Sequence, residues 1–335
     1  MTVQKPKGIF LNIKKEGDVP RVFDQKAKEE LSLRMEMPPE VITPADFSAY
    51  APFLRETEYI FSTWGMYRPT EEELTAYFPR LKAVFYAAGT VKGFAGPFLE
   101  RGIRVFSAVD ANAVPVSEFV FAEILLANKG VWAFSHLPFF ERGKVGNAFP
   151  GNYGATVGLI GMGRIGRLVA KRLQTVNLKV LAYDPYLSKE EAADFGVEKV
   201  SLEAIFERAD VISNHLPDIP ELFGVLNGKL FEKMKASATF LNTGRGREVV
   251  EADLIEALRK VPTRTAVLDV TFPEPPEENS PLYGMENVIL TPHIAGSSGN
   301  EVRRMAEYMI AEFDRLQRGE PLLFEIDTAT LKRQA

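Results

Sequence analysis

The chain has 335 residues, 46% of them hydrophobic and 25% charged, with a formal net charge of −5 and a pI near 5.5. That balance fits an ordinary globular protein, leaves no basic footprint for nucleic acid, and contains no run of roughly 18 apolar residues that would span a membrane. There are no cysteines and only three histidines, His136, His215 and His293, without HExxH or CxxC spacing, so neither a disulfide framework nor a metal site is expected.

The start, MTVQKPKGIF, lacks the apolar core of a signal peptide, and a cytoplasmic protein is expected. The length exceeds what one compact core accommodates and predicts two domains. Short β-like runs come first: GIFLNI (8–13), YIFSTW (59–64), LKAVFYAA (81–88) and IRVFSA (103–108). Helix formers ending in Gly or Pro separate them, the pattern of βαβ units and a mostly parallel sheet.

A long helical stretch follows from Val116 to Phe134, VSEFVFAEILLANKGVWAF. Its apolar residues surround too much of the helix for one buried face. It therefore either crosses a core between domains or meets a second subunit, and a homodimer contact through 116–150 is expected. After the linker GKVGNAFPGNYG a second series begins: ATVGLI (155–160), KVLAYD (179–184), DVISNH (210–215), ATFLN (238–242), TAVLD (265–269) and NVILT (287–291). From Glu301, EVRRMAEYMIAEFDRLQRG is an amphipathic helix ended by Gly319 and expected to lean back on the first domain. The unusual residues of the second series, Gly161, Asp184, Asn214, Arg245, Asp269 and His293, all follow strands, where open parallel sheets bind ligands.

Gly161-x-Gly163-x-x-Gly166 stands directly after an apolar strand and opens a helix. Gly161 permits a tight turn, Gly163 lets a pyrophosphate approach the backbone, and Gly166 allows close helix–strand packing. The amides from Met162 through Arg164 and Ile165 would face the anion, with the helix dipole behind them. The alternative is a purely structural turn. Asp184 closes the next strand 18 residues after Gly166. A carboxylate there accepts from both ribose hydroxyls and repels a 2′-phosphate, so NAD is expected over NADP; a solvated loop aspartate is the other reading.

Three further stretches, FLNTGRGREVVEADLIEAL, AVLDVTFPEPPEENSPL and NVILTPHIAG, complete a pattern with VGLIGMGRIG. Together they resemble the D-isomer-specific 2-hydroxyacid dehydrogenases, a family that includes phosphoglycerate dehydrogenases and glyoxylate/hydroxypyruvate reductases. The likeness covers roughly residues 80–315. It implies two Rossmann-like or flavodoxin-like α/β domains with the active site in the cleft between them. Residues 1–114 with 298–335 would bind substrate, and 115–297, including the helical segment 115–150, would bind NAD.

The resemblance also implies roles. Arg245 would hold the carboxylate and carbonyl of a 2-oxo acid, for which a guanidinium fork is suited. His293 would be the acid/base, imidazole being the side chain that titrates near neutrality. Glu274, rather than neighbouring Glu277 or Glu278, would orient it. Asp269 would face the nicotinamide carboxamide, and Thr243 and His215 would line the cofactor pocket; His136 would be structural. Backbone amides of Gly89 and Thr90 would reach the substrate carboxylate, although Phe94 stands where an aspartate is usual. Trp64 and Met66 replace the arginines expected for a phosphate-bearing substrate, with Arg68 nearby, and predict an apolar wall. The expected function is NAD-dependent interconversion of a 2-oxo acid and its D-2-hydroxy acid. The alternative is an NAD(H)-sensing, corepressor-type protein with little turnover.

Overall fold

The computed structural model describes residues 5–135, 137–138, 148–328 and 331. His136 and residues 139–147 of the expected interface segment lie outside the described residues. The chain divides into two compact units, Met1–Asn112 with Ser297–Gln334, and Ala113–Gly296.

The first unit holds a six-stranded sheet made of β1 (Lys7–Leu11), β2 (Val41–Ile42), β3 (Thr57–Ser62), β4 (Ala83–Tyr86), β5 (Arg104–Ser107) and β13 (Glu325–Ile326). Its order is β13-β5-β4-β3-β1-β2, parallel except for β13. The first five strands thus follow the 2-1-3-4-5 order of flavodoxin-like sheets. Register places Phe10, Phe61, Phe85 and Phe106 side by side across four strands. Phe85 stacks on Phe61 at 4.9 Å and on Phe106 at 4.8 Å, and Phe313 meets Phe85 edge-on at 5.7 Å. Such cross-strand aromatic pairs add directional packing to area burial. Phe313 comes from the helix Val302–Arg318, whose face of Met305, Met309 and Ile310 also enters this core. Gly319 ends that helix in the left-handed conformation, where a glycine is least strained.

The second unit holds a seven-stranded parallel sheet: β6 (Thr156–Ile160), β7 (Lys179–Tyr183), β8 (Glu198–Lys199), β9 (Val211–Asn214), β10 (Thr239–Asn242), β11 (Thr265–Leu268) and β12 (Val288–Leu290). The order β12-β11-β10-β9-β6-β7-β8 reverses between β6 and β9, the doubly wound arrangement with its ligand crevice at the reversal.

The stretch expected as one helix over 116–134 is two: Val109–Asn128 and Val131–Phe134, parted by Gly130 in the left-handed region at φ 69°. The first begins earlier because the Val109 N–H donates to Ser107 Oγ (3.2 Å). Within the second unit Val116, Val120, Ile124 and Ala127 face a core with Leu159 and Val169. Their spacing is one helical face. Phe119 and Phe121 are half-buried, and Leu126 is 38% exposed. Among the described residues no helix is long and apolar enough to cross a membrane, and no cluster of His, Asp or Glu could hold a metal ion.

Candidate functional site

The glycine turn leaves β6 and enters the helix Arg164–Leu173. Gly161 has φ 91°, and a Cβ there would sit 2.8 Å from the His215 carbonyl oxygen. A Cβ at Gly166 would lie 2.1 Å from the Gly161 oxygen. Both positions therefore admit only glycine. At Gly163 a Cβ would meet nothing within 4 Å, so this position opens onto free space beside the first amides of the helix.

Asp184 follows β7 and accepts from the Met162 N–H (2.8 Å) and the Tyr186 N–H (2.7 Å). It thus ties the glycine turn to the end of the neighbouring strand. His215 follows β9 and is buried, its Nε2 3.0 Å from Ser213 Oγ, while its Nδ1 has no hydrogen-bond partner among the described residues. Burial pushes this imidazole down to about 3, so it is neutral in the folded protein. Thr243 Oγ1 is likewise buried without a hydrogen-bond partner among the described residues. Two orphaned polar atoms at the ends of β9 and β10, with open space at Gly163, fit the donors and acceptors of a dinucleotide.

Arg245 stands in the turn after β10. Its N–H donates to Glu248 Oε2 (2.9 Å), its carbonyl accepts from Asn242 Nδ2 (3.0 Å), and its Nη1 donates to the Gly244 carbonyl (2.7 Å). Gly246 packs on the neighbouring loop: a Cβ there would lie 2.0 Å from the Thr271 carbonyl carbon. The arginine turn and the loop leading to Glu274 thus touch backbone to backbone. Neither this role of Gly246 nor the burial of Glu248 was legible in the motif.

Asp269 follows β11 and holds the histidine loop. Its Oδ1 accepts from Thr291 Oγ1 (2.6 Å) and the Ile294 N–H (2.8 Å), and its Oδ2 from the Ala295 N–H (3.0 Å). The His293 N–H donates to the Asp269 carbonyl (3.1 Å). His293 itself has φ 54°, a non-glycine residue in the left-handed region, sustained by this set of bonds. Its Nδ1 lies 2.6 Å from Glu274 Oε1, and both side chains are about half-exposed, 50% and 41%. Glu277 and Glu278 take no part in this contact among the hydrogen bonds of His293. Beside the pair is a cavity of about 420 Å³ walled by Leu268, Val270, Tyr283 and Leu290.

In the first unit, Trp64 is half-buried; its carbonyl accepts from Asn12 Nδ2 (2.7 Å), and the Arg21 guanidinium lies 5.4 Å from its ring centre. That cation, from a helix remote in sequence, was not legible beside Trp64. The Gly89 carbonyl accepts from Ser107 Oγ (2.6 Å), and exposed Thr90 accepts the Lys92 N–H on Oγ1 (3.4 Å). Phe94 is buried against Tyr86 at 4.7 Å, so this loop rests on aromatic packing.

Residues 137–295 match the family model described as D-isomer specific 2-hydroxyacid dehydrogenase, NAD binding domain. A glyoxylate reductase of Korarchaeum cryptofilum is 31% identical over 264 residues, covering 75% of this chain and 78% of that protein. A D-3-phosphoglycerate dehydrogenase of Archaeoglobus fulgidus is 36% identical over 225 residues, 64% of this chain. The chain spans only 40% of the length of that relative and 47% of a similar one from Mycobacterium tuberculosis. Among solved structures, an NADPH-dependent glyoxylate/hydroxypyruvate reductase from Sinorhizobium meliloti superposes with a TM-score of 0.70 at 26% identity, covering 98% of this chain and 100% of that one. A phosphoglycerate oxidoreductase from Rhizobium etli, 22% identical with a TM-score of 0.80 and covering 98% and 100% of the two chains, shares the fold. With the glycine turn, the strand order and these matches together, the chain belongs to the D-isomer specific 2-hydroxyacid dehydrogenase family.

Proposed function

We propose that the protein is an NAD-dependent oxidoreductase that interconverts a 2-oxo acid and its D-2-hydroxy acid. The observation that carries this reading is the 2.6 Å contact between His293 Nδ1 and Glu274 Oε1. A carboxylate accepts, so Nδ1 carries the hydrogen, and Nε2 is the ring atom left to exchange a proton with substrate. In reduction, His293 Nε2–H donates to the C2 oxygen as that oxygen gains charge; in oxidation the neutral ring takes the proton back. Glu274 stabilises the imidazolium and fixes the ring's orientation. Arg245 binds the substrate carboxylate and polarises the adjacent carbonyl. NAD(H), when bound, supplies or accepts the hydride; Gly161, Gly163, Arg164, Ile165, Gly166, Asp184, Thr243, His215 and Asp269 would hold it.

The proposal assigns substrate contacts to Trp64, Gly89 and Thr90 of the first unit. The aromatic character of Trp64 favours a small or apolar 2-oxo acid over a phosphorylated one. Asp184 favours NAD over NADP, because its carboxylate repels a 2′-phosphate. The apolar residues left half-buried on the helix from Val109, with exposed Leu126, support a homodimer, which light scattering on the eluted protein tests.

The catalytic test is loss of absorbance at 340 nm with NADH and a panel of glyoxylate, hydroxypyruvate, pyruvate and bulkier 2-oxo acids, repeated with NADPH. His293→Gln should lose most turnover while NADH, followed by its fluorescence, still binds. No turnover with any panel member would overturn the reading in favour of an NAD(H)-sensing protein. Wild-type kcat in His293→Gln would remove the histidine from the mechanism.

A further inference from the structure

Glu248 is a carboxyl that the proposed reaction does not use, yet it is completely buried. Parallel register sets Asn214 of β9 beside Asn242 of β10 at the carboxyl ends of their strands. Asn214 Nδ2 donates to Asn242 Oδ1 (3.0 Å) and reaches Glu248 Oε2 (3.4 Å). Asn242 Oδ1 also accepts the Gly244 N–H (3.1 Å). Both backbone polar groups of Arg245 are therefore gripped by this cluster, the N–H by Glu248 and the carbonyl by Asn242. Among the described residues Glu248 Oε1 has no hydrogen-bond partner. A buried carboxylate with one unsolvated oxygen is expensive unless it can take up a proton.

We propose that Glu248 is a positioning residue for Arg245 whose protonation state sets how tightly the protein holds the substrate carboxylate. The inference rests on the reading of Arg245 as the carboxylate-binding residue. When ionised, Glu248 attracts the Arg245 guanidinium and repels an incoming anion; when protonated it does neither. A bound carboxylate in turn favours the protonated form, so substrate binding near neutrality is accompanied by proton uptake. The charged groups facing Glu248 are Arg245, which favours ionisation, and Asp218 from the loop after β9, which opposes it. Burial is the largest influence and pushes the carboxyl up to about 7, into the working range.

The test compares wild type with Glu248→Gln, which keeps an acceptor for the Arg245 N–H but cannot ionise. KM and kcat for the panel acid that is turned over are measured separately from pH 5.5 to 8.5. A one-unit substrate-induced shift of the carboxyl corresponds to a tenfold change in affinity across its titration. The ratio of wild-type to E248Q KM should therefore rise about three- to tenfold over the range. Glu248→Ala, lacking the acceptor for the Arg245 N–H, should raise KM relative to E248Q at every pH and show the same loss of the pH-dependent component. A constant ratio of wild-type to E248Q KM would overturn the inference, because a purely structural carboxyl shifts KM by one factor throughout. A ¹³C titration of the Glu248 carboxyl carbon, assigned by its absence in E248Q, needs no substrate; a midpoint in the ordinary carboxylate range would also overturn it. Absence of turnover in the wild type is instead failure of the proposed function, and the ¹³C midpoint still decides the behaviour of Glu248.

Discussion

Replacing Asp269 by asparagine removes one acceptor oxygen without changing the size of the side chain. The carboxylate accepts three hydrogen bonds from the histidine loop, two on Oδ1 and one on Oδ2. In the amide, oxygen retains the two from Thr291 and Ile294, while nitrogen turns a donor toward the Ala295 N–H, a residue only 4% exposed. Bonds to a charged acceptor contribute about 1.5–3 kcal/mol each, against about 1 kcal/mol for neutral ones. Weakening two and losing the third gives a loss on the order of 4 kcal/mol. The loop also carries His293 in the left-handed region, a conformation disfavoured by roughly 1–2 kcal/mol, so the weakened set should let the imidazole leave its place. At about 2–4 °C per kcal/mol for a unit of this size, Tm should fall by about 8–16 °C if the whole loss is global. The kcat should drop about 10- to 100-fold, roughly 1.4–2.8 kcal/mol of barrier. Differential scanning fluorimetry, steady-state reduction of the active panel acid and NADH fluorescence titration measure the three quantities. Wild-type Tm and kcat in Asp269→Asn would refute the reasoning. So would a loss confined to NADH affinity with Tm and kcat unchanged, because the hold of Asp269 on the histidine loop would then contribute nothing measurable.

Gly246→Ala forces a Cβ to within 2.0 Å of the Thr271 backbone, where no side chain can swing aside; a stability loss of about 3 kcal/mol or more is expected from overpacking, and an unchanged urea midpoint would show that the two loops can part. Acid stability should be limited by His215. Its imidazole is held down to about 3 from 6.5, so the unfolded chain takes up a proton that the folded one refuses. The associated stability is full above pH 6.5 and is lost as pH falls toward 3. Urea midpoints from pH 7 to 5 should therefore fall less in His215→Asn than in wild type, and parallel curves would contradict the assignment. Glu248 acts with the opposite sign: raised to about 7 from 4.5, it favours the folded state below 4.5 and loses that advantage as pH rises toward 7. Glu248→Gln should gain stability relative to wild type between pH 5 and 8; a constant difference would count against a raised carboxyl.

The glycine turn was legible because every constraint on it is local: a strand, a tight turn and a helix start within ten residues fix where glycine is needed. The family resemblance singled out Glu274 as the partner of His293, and the structure sets Glu274, not Glu277 or Glu278, beside the imidazole. The three shortest strands, β2, β8 and β13, were not legible, since two residues carry no periodicity and owe their form to the strand they pair with. The start of the long helix at Val109 depended on a cap from Ser107, just beyond the apolar run that suggested it.

By itself, then, the sequence determined the two series of βαβ units, the dinucleotide turn and the chemical types of the groups that end the strands. Only the tertiary structure decided which of those groups touch. Asn214, Asn242 and Glu248 form one buried cluster because neighbouring parallel strands end side by side, and Asp269 grips the histidine loop because β11 and β12 are adjacent. Hydrogen-bond partners 26 to 34 residues apart leave no periodic trace in a chain. They are selected by strand order and register, which the chain settles only when its apolar faces are buried together.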